Sequence, residues 1–276
     1  MQRELTPDAP QTAAPLLQVE NLVKDYPVRG KDMRRGGILR AVDDVSFRLN
    51  KGRTLSIVGE SGSGKSTVAR MVMRLLEPTQ GRIQLNGRDW LALPRRELRL
   101  ARQKIQLVFQ DPFSSINPRM RVAEVIGEPL HNFKLARGEA ARTRVVELLE
   151  QVGLSAAALT RYPHEFSGGQ RQRIVIARAL ASQPDLIVCD EAVSALDVSI
   201  QAQILNVLAR IQETMNVSYL FISHDLAVVQ HISDEVAVMY KGSIVETGST
   251  RELYSRPKHA YTERLLDSVP GQRLKL

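Results

Sequence analysis

Residues 59–67 read GESGSGKST, and few nine-residue stretches restrict a fold as much. The apolar run Leu55-Ser56-Ile57-Val58 precedes them and Val68-Ala69-Arg70-Met71-Val72 follows, so the pattern predicts a strand, a glycine loop and a helix in succession. Gly59, Gly64, Lys65 and Ser66 fit G-x-x-x-x-G-K-S, with Glu60, Ser61, Gly62, Ser63 and Thr67 completing the loop. Flexible glycines let backbone N–H groups wrap a phosphate at a helix N-terminus, where the helix dipole supplies about half a positive charge. Lys65 would reach the outer phosphates and Ser66 would ligate Mg²⁺. A glycine-rich turn can arise by chance, but the strand before and the helix after are the context the motif requires. The expectation is a nucleoside-triphosphate site.

The chain has 276 residues, 43% of them apolar, enough for one large domain or one domain with an inserted lobe. Its single cysteine, Cys189, follows Leu186-Ile187-Val188 and reads as a buried small hydrophobe; one cysteine excludes an internal disulfide. No run approaches the ~18 consecutive apolar residues of a membrane span, and the first 15 residues, MQRELTPDAPQTAAP, lack the apolar centre of a secretion signal. The expectation is a chain that is cytosolic by synthesis. The formal net charge of +8 is spread, with its densest run at residues 29–40, RGKDMRRGGILR. That run is compatible with a solvated loop, with a membrane surface or membrane partner, or with nucleic acid; it lacks the interleaved aromatics of a single-strand binder.

Taken in order, residues 1–15 form an aperiodic tail. Leu17-Gln18-Val19-Glu20-Asn21-Leu22 and Val45-Ser46-Phe47-Arg48-Leu49 read as short antiparallel strands on either side of Tyr26 and the basic loop. Arg82-Ile83-Gln84-Leu85 followed by Asn86-Gly87 predicts a hairpin. A helix is expected over 95–103 and a strand over 105–109, ending at Gln110. Beyond Asp111-Pro112 the spacing turns helical without strands, notably over 122–130 and 138–152, so 112–166 reads as an inserted helical lobe. With the helix opened by Phe166-Ser167-Gly168-Gly169-Gln170, the insert covers about 112–182. Leu186-Ile187-Val188-Cys189 is a doubly buried strand ending in Asp190-Glu191; a helix over 200–213 and a strand over 218–222, leading to Ser223-His224-Asp225, continue the alternation of a parallel sheet. A hairpin around Lys241-Gly242 and a tail with one amphipathic helix near Leu265 complete the chain.

A phosphate loop does not by itself distinguish a kinase from a GTPase or a motor, so the later strand ends must discriminate. Asp190 would hold the Mg²⁺ shell, and Glu191 would orient or deprotonate the water attacking the γ-phosphate. Adjacent carboxylates at a strand end repel unless a cation or donors compensate. Gln110 could ligate metal and water through its amide. His224 is either structural or placed to contact the γ-phosphate or orient Glu191. Ser167 with Gln170 three residues on forms a capping box, and two glycines in the same first turn leave N–H groups open to another molecule's phosphate; both readings hold together.

With these residues in view, the chain resembles the ATP-binding-cassette ATPases from about Leu16 to Ser268. The resemblance implies an α/β P-loop core with a mixed central sheet, an antiparallel β subdomain and a helical subdomain; 269–276 is then a second tail. It makes residues 59–67 the Walker A loop, Gln110 the Q-loop, residues 166–170 the signature and 186–190 Walker B. Glu191 becomes the catalytic carboxylate, Ser194-Ala195-Leu196-Asp197 the D-loop, His224 the switch histidine and Tyr26 the aromatic that stacks on adenine. It also implies ATP and Mg²⁺ as ligands and a second cassette, paralogue or self, paired head-to-tail. Two transmembrane permeases and, through them, an extracytoplasmic solute-binding protein follow, with the chain peripheral on the cytoplasmic face of the membrane. Residues 108–120, VFQDPFSSINPRM, and Pro257-Lys258-His259-Ala260-Tyr261-Thr262 are similar to oligopeptide and dipeptide importer ATPases, and 112–120 is then the candidate coupling surface; nickel, glutathione or glycoside uptake, or a soluble non-transport cassette acting on nucleic acid, are the alternatives. Phe166 and Ala192 stand where many relatives have Leu and Pro. C-terminal cysteines for the iron–sulfur cluster of some relatives are absent, so no cluster is expected; nucleic-acid binding is not expected either, because the sequence has no internal repeat, no heptad run and one cysteine.

Overall fold

The structure is a computed structural model that describes residues 14–28, 37–109 and 115–268. The expected N-terminal tail up to residue 13, most of the basic run, Gln110 with the first part of the candidate coupling surface, and the tail at 269–276 lie outside the described residues.

Strands β1 (Leu17–Val28) and β2 (Gly37–Leu49) pair antiparallel, and both extend well past the short strands expected from sequence. The reason is a pair of irregularities that break the period-two pattern. Asn21 and Asp44 sit at φ +48° and +53°, joined by Asn21 Nδ2 donating to Asp44 Oδ1 at 2.7 Å, and the register shifts beside them. Residues 37–40 of the supposed basic loop are therefore strand.

The phosphate-loop segment is built as expected: β3 (Thr54–Val58), fully buried, then the loop, then α1 (Lys65–Val72). β4 (Gln80–Leu85) and β5 (Arg88–Asp89) follow, and Asn86-Gly87, both at positive φ, make the turn between them. Then come α2 (Arg95–Ala101), a short 3₁₀ turn, and β6 (Ile105–Phe109). The helical region holds α3 (Val122–Asn132), α4 (Gly138–Gln151) and α5 (Gly168–Ala181). The remainder alternates: β7 (Leu186–Asp190), α6 (Val198–Met215), β8 (Ser218–Ser223), α7 (Leu226–Ile232), β9 (Glu235–Tyr240) and β10 (Ser243–Ser249). Two short helices, α8 (Thr250–Ser255) and α9 (Ala260–Asp267), close the described chain.

A four-stranded antiparallel sheet has the order β2-β1-β4-β5, and a six-stranded sheet the order β10-β9-β3-β8-β7-β6. Within the second, β9, β3, β8, β7 and β6 run parallel and only β10 is reversed. Its centre reads as continuous apolar sequence because both faces are covered. On one face Cys189, Ile187, Tyr219 and Phe221 pack in the same core as α3, α4, α5 and α6; on the other Val188, Leu220 and Ile57 join α1 and the antiparallel sheet. Cys189 is wholly buried and burial pushes its thiol pKa up, consistent with a small hydrophobe. A third core joins Val58, Leu226, Val229 and Val236 to Leu253 and Tyr261 of α8 and α9.

Candidate functional site

Parallel pairing in register brings four strand ends to one level: Val58 faces Ser223 and Val238, Asp190 faces Ile222, and Phe109 faces Asp190. Ligands of open parallel sheets bind beyond such carboxyl ends. The residues projecting there are those the sequence singled out, with Gln110 next after Phe109 but outside the described residues.

The loop needs its glycines. Gly59 is at φ +152° and a Cβ there would run into the Met239 carbonyl; Gly64, at φ +107°, has the Ala41 carbonyl 2.5 Å from where a Cβ would stand. Glu60, Ser61 and Gly62 form the exposed rim, while Ser63 is buried, its carbonyl accepting from Gly242 N at 3.0 Å. Lys65 is 4% exposed and its Nζ donates to the carbonyls of Gly59 and Glu60, both at 2.8 Å. Burial lowers the Lys65 pKa, opposed by the nearby carboxylates of Glu191, Asp190 and Glu60.

Ser66 Oγ donates to Asp190 Oδ1 at 2.9 Å, joining the first turn of α1 to the end of β7. Burial raises the Asp190 pKa, an effect that the Ser66 hydrogen bond only partly offsets and the Glu191 charge reinforces. A half-buried carboxylate beside a hydroxyl, with a second carboxylate adjacent, is the oxygen-rich and under-compensated environment that suits a hard divalent cation. The N-terminus of α1 complements it, because its cap residue Gly64 supplies no side-chain hydrogen bond to the first-turn N–H groups. The residues present fit both a phosphate chain and Mg²⁺.

Glu191 has a left-handed backbone, φ +52°, unusual for a residue with a side chain. Its N–H donates to Ile222 O at 3.0 Å and its carbonyl accepts from Ser194 N at 3.1 Å and Ser194 Oγ at 2.9 Å, which hold the turn. The turn aims Glu191 Oε1 at His224 Nδ1, 3.2 Å away. His224 is fixed from both sides: Ser223 Oγ accepts from Asp225 N at 3.0 Å, and the Asp225 side chain caps α7 by accepting from Ala227 N at 2.9 Å. Its side chain remains 54% exposed.

At α5, Gln170 N donates to Ser167 Oγ at 3.3 Å and Ser167 N donates to Gln170 Oε1 at 3.1 Å, a complete capping box. Ser167 and Gln170 are exposed, and Phe166 is buried under the Arg161 guanidinium, 4.4 Å from its ring centre. Asp197 is exposed at the start of α6, its carbonyl accepting from Gln201 N at 2.8 Å. Tyr26 lies within β1 opposite Leu39, half-buried, with Lys24 Nζ 5.4 Å from its ring centre. Ala41, two residues beyond Leu39 along β2, has its carbonyl against Gly64.

Sequence reasoning did not single out Ser194 as the support of Glu191, nor Met239, Ala41 and Tyr261 as neighbours of the loop; these are long-range contacts without a local pattern. A groove of about 790 Å³ runs between the sheet and the helical region, lined among others by Leu75, Leu100, Phe109, Ser115, Phe133 and Arg178. Leu75, Leu100 and Phe109 are 54%, 58% and 41% exposed. Arg178 ties one wall together, donating to Ser115 O at 3.0 Å and Glu128 Oε2 at 2.7 Å.

Fold and site together define a P-loop nucleotide-binding ATPase. Comparison with known proteins narrows the class: the model of the ABC transporter family matches residues 42–194. The chain is 51% identical over 256 residues to a probable peptide ABC transporter ATP-binding protein of Sinorhizobium fredii, covering 92% of this chain and 72% of that one. It is 52% identical over 260 residues to the oligopeptide transport ATP-binding protein AppF of Bacillus subtilis, covering 94% and 79%. Among solved structures, it is similar to a dimeric ATP-binding cassette in a post-hydrolysis state with ADP and Pi, at a TM-score of 0.75 and 29% identity over 85% of this chain and 99% of that one. The chain belongs to the ABC transporter family, as an ATP-binding and ATP-hydrolysing cassette. Among the described residues no helix is long and apolar enough to cross a membrane.

Proposed function

We propose that this cassette powers a bacterial importer of oligopeptides or dipeptides, working as one half of a head-to-tail pair beneath two membrane permease subunits at the cytoplasmic face of the membrane. A solute-binding protein outside would act through those permeases. The substrate class is supported by the identity of about half the residues, over more than nine-tenths of the chain, with cassettes named for peptide transport. The observation that carries the mechanism is the convergence of Lys65, the Ser66–Asp190 pair and the Glu191–His224 pair at adjacent strand ends.

In this reading the backbone N–H groups of 59–67 and Lys65 hold the triphosphate of ATP, with Tyr26 against adenine. Ser66 and Asp190, with Gln110, would hold Mg²⁺, which would supply charge to neutralise the phosphate oxygens. Glu191 orients the attacking water and accepts its proton, and His224 keeps the Glu191 carboxylate aimed. Ser167, Gly168, Gly169, Gln170 and Asp197 complete the partner's site. The groove carrying Leu75, Leu100 and Phe109, lined also by Ser115 of the candidate coupling surface, receives the permeases.

Co-purification tests the assembly: gentle membrane extraction of the tagged chain should bring down two permeases, and the reconstituted complex should hydrolyse ATP faster with peptide than without. Recovery of the chain without membrane subunits, or stimulation only by a non-peptide solute, would refute the assembly or the substrate respectively.

Gly168→Asp tests the pairing. A Cβ at Gly168 would meet only Leu196 Cδ2 at 3.6 Å, an ordinary contact, whereas at Gly169 it would come within 2.5 Å of Ile200 Cγ2. Position 168 therefore accepts a side chain without unfolding α5. The added carboxylate would repel the partner's γ-phosphate, so ATP affinity of the isolated chain should stay within about twofold while turnover of the pair falls on the order of tenfold. Lost affinity in the isolated chain would place Gly168 in its own pocket instead.

A further inference from the structure

The last helix reaches back to the phosphate loop. Tyr261, in the first turn of α9 and 2% exposed, accepts a hydrogen bond from Glu60 N at 3.0 Å through its hydroxyl. The segment before it is pinned to the sheet, since Glu246 of β10 accepts from Lys258 N at 2.8 Å and His259 N at 3.0 Å. His259 Nδ1 in turn caps α9 by accepting from Tyr261 N at 3.1 Å. The Tyr261 ring rests on Tyr240, centroids 4.2 Å apart, in the core it shares with Val58 at the end of β3.

The consequence lies in one peptide unit. The bond joining Gly59 to Glu60 is trans, so the Gly59 carbonyl and the Glu60 N–H point in opposite directions. With the N–H drawn outward by Tyr261, the carbonyl faces inward, where it accepts from Lys65 Nζ at 2.8 Å. Glycine imposes little preference of its own on that plane, so its partners decide the orientation. We propose that Tyr261 is a positioning residue: its hydroxyl fixes the Gly59–Glu60 peptide, and through it the Lys65 ammonium, so that affinity for ATP depends on a helix about two hundred residues further along the chain. This rests on reading residues 59–67 as the ATP site.

The test is calorimetric titration of ATP into full-length Tyr261→Phe and, beside it, Tyr254→Phe, with steady-state kinetics and thermal melting of each. Tyr254 belongs to the same C-terminal segment, but its hydroxyl donates to Leu226 O, at 2.6 Å, so its loss reports general loosening of that segment. Tyr261→Phe should raise the ATP dissociation constant and KM about 3- to 10-fold, the worth of one hydrogen bond, with kcat within about twofold. Tyr254→Phe should leave the dissociation constant within about twofold. Wild-type affinity in Tyr261→Phe, or an equal loss in both variants, overturns the positioning role. Lys65→Ala separates the two levels: if it binds ATP normally, the site reading itself fails, whereas if it loses ATP and Tyr261→Phe does not, only the role of Tyr261 falls.

Discussion

Glu191→Gln is expected to bind ATP nearly as the parent chain does and to hydrolyse it roughly 10²- to 10⁴-fold more slowly, the range for removing a positioned base. The substitution keeps length and hydrogen-bonding reach, so the contacts at Ser194 and His224 can persist, as can the turn held by Glu191 N to Ile222 O. What is lost is the negative charge that, in the proposed mechanism, holds and deprotonates water. Lys65, Ser66 and Asp190 are untouched, so the triphosphate still binds, and pairs closed by ATP accumulate because nothing releases them. Size-exclusion chromatography in ATP and Mg²⁺, with the cassette partner present and a turnover assay alongside, reads both effects. Hydrolysis at the parental rate would move the base elsewhere; slow hydrolysis without association would leave the base standing and remove the closed pair.

Lys65→Ala is expected to weaken ATP binding by roughly 10- to 100-fold, because hydrogen bonds from a charged group to phosphate are among the strongest a protein makes. The side chain is buried at 4% exposure and already held against two loop carbonyls, so it presents its charge from a fixed place. Its removal also leaves those carbonyls facing the triphosphate without a cation between them. Calorimetry checks the affinity, and a melting curve at the parental temperature shows that binding rather than folding was lost. Unchanged affinity would refute the phosphate-loop reading.

The segments legible in the sequence share one property: their signal is local. The loop at 59–67 announces itself by spacing, and β3, β6 and β7 by apolar runs of strand length, with the expected bounds of β6 matching those observed. The capping box at Ser167 and Gln170 is likewise contained within four residues. Where the pattern failed, a distant partner had intervened. β1 and β2 look short in sequence because the Asn21–Asp44 bulge interrupts alternation, and only the pairing across 23 residues shows that both strands continue. Glu191 could be picked out as a carboxylate at a strand end, but its left-handed backbone and the Ser194 support depend on a turn that apolar spacing does not describe. Tyr261 stood in a tail noticed only for its likeness to peptide importers; its hydrogen bond to Glu60 spans 201 positions.

Cys189 has a practical consequence. It is the chain's single thiol, inside β7 with 0% of its surface exposed, and burial keeps it protonated. Maleimide probes react with accessible thiolate, so the parent chain is a silent background for spectroscopy. A cysteine at exposed Thr143 on α4 and another at exposed Arg82 on β4 would carry a donor and an acceptor dye without first engineering the native one away. Energy transfer between them would report whether the helical region moves against the antiparallel sheet as nucleotide comes and goes, one molecule at a time.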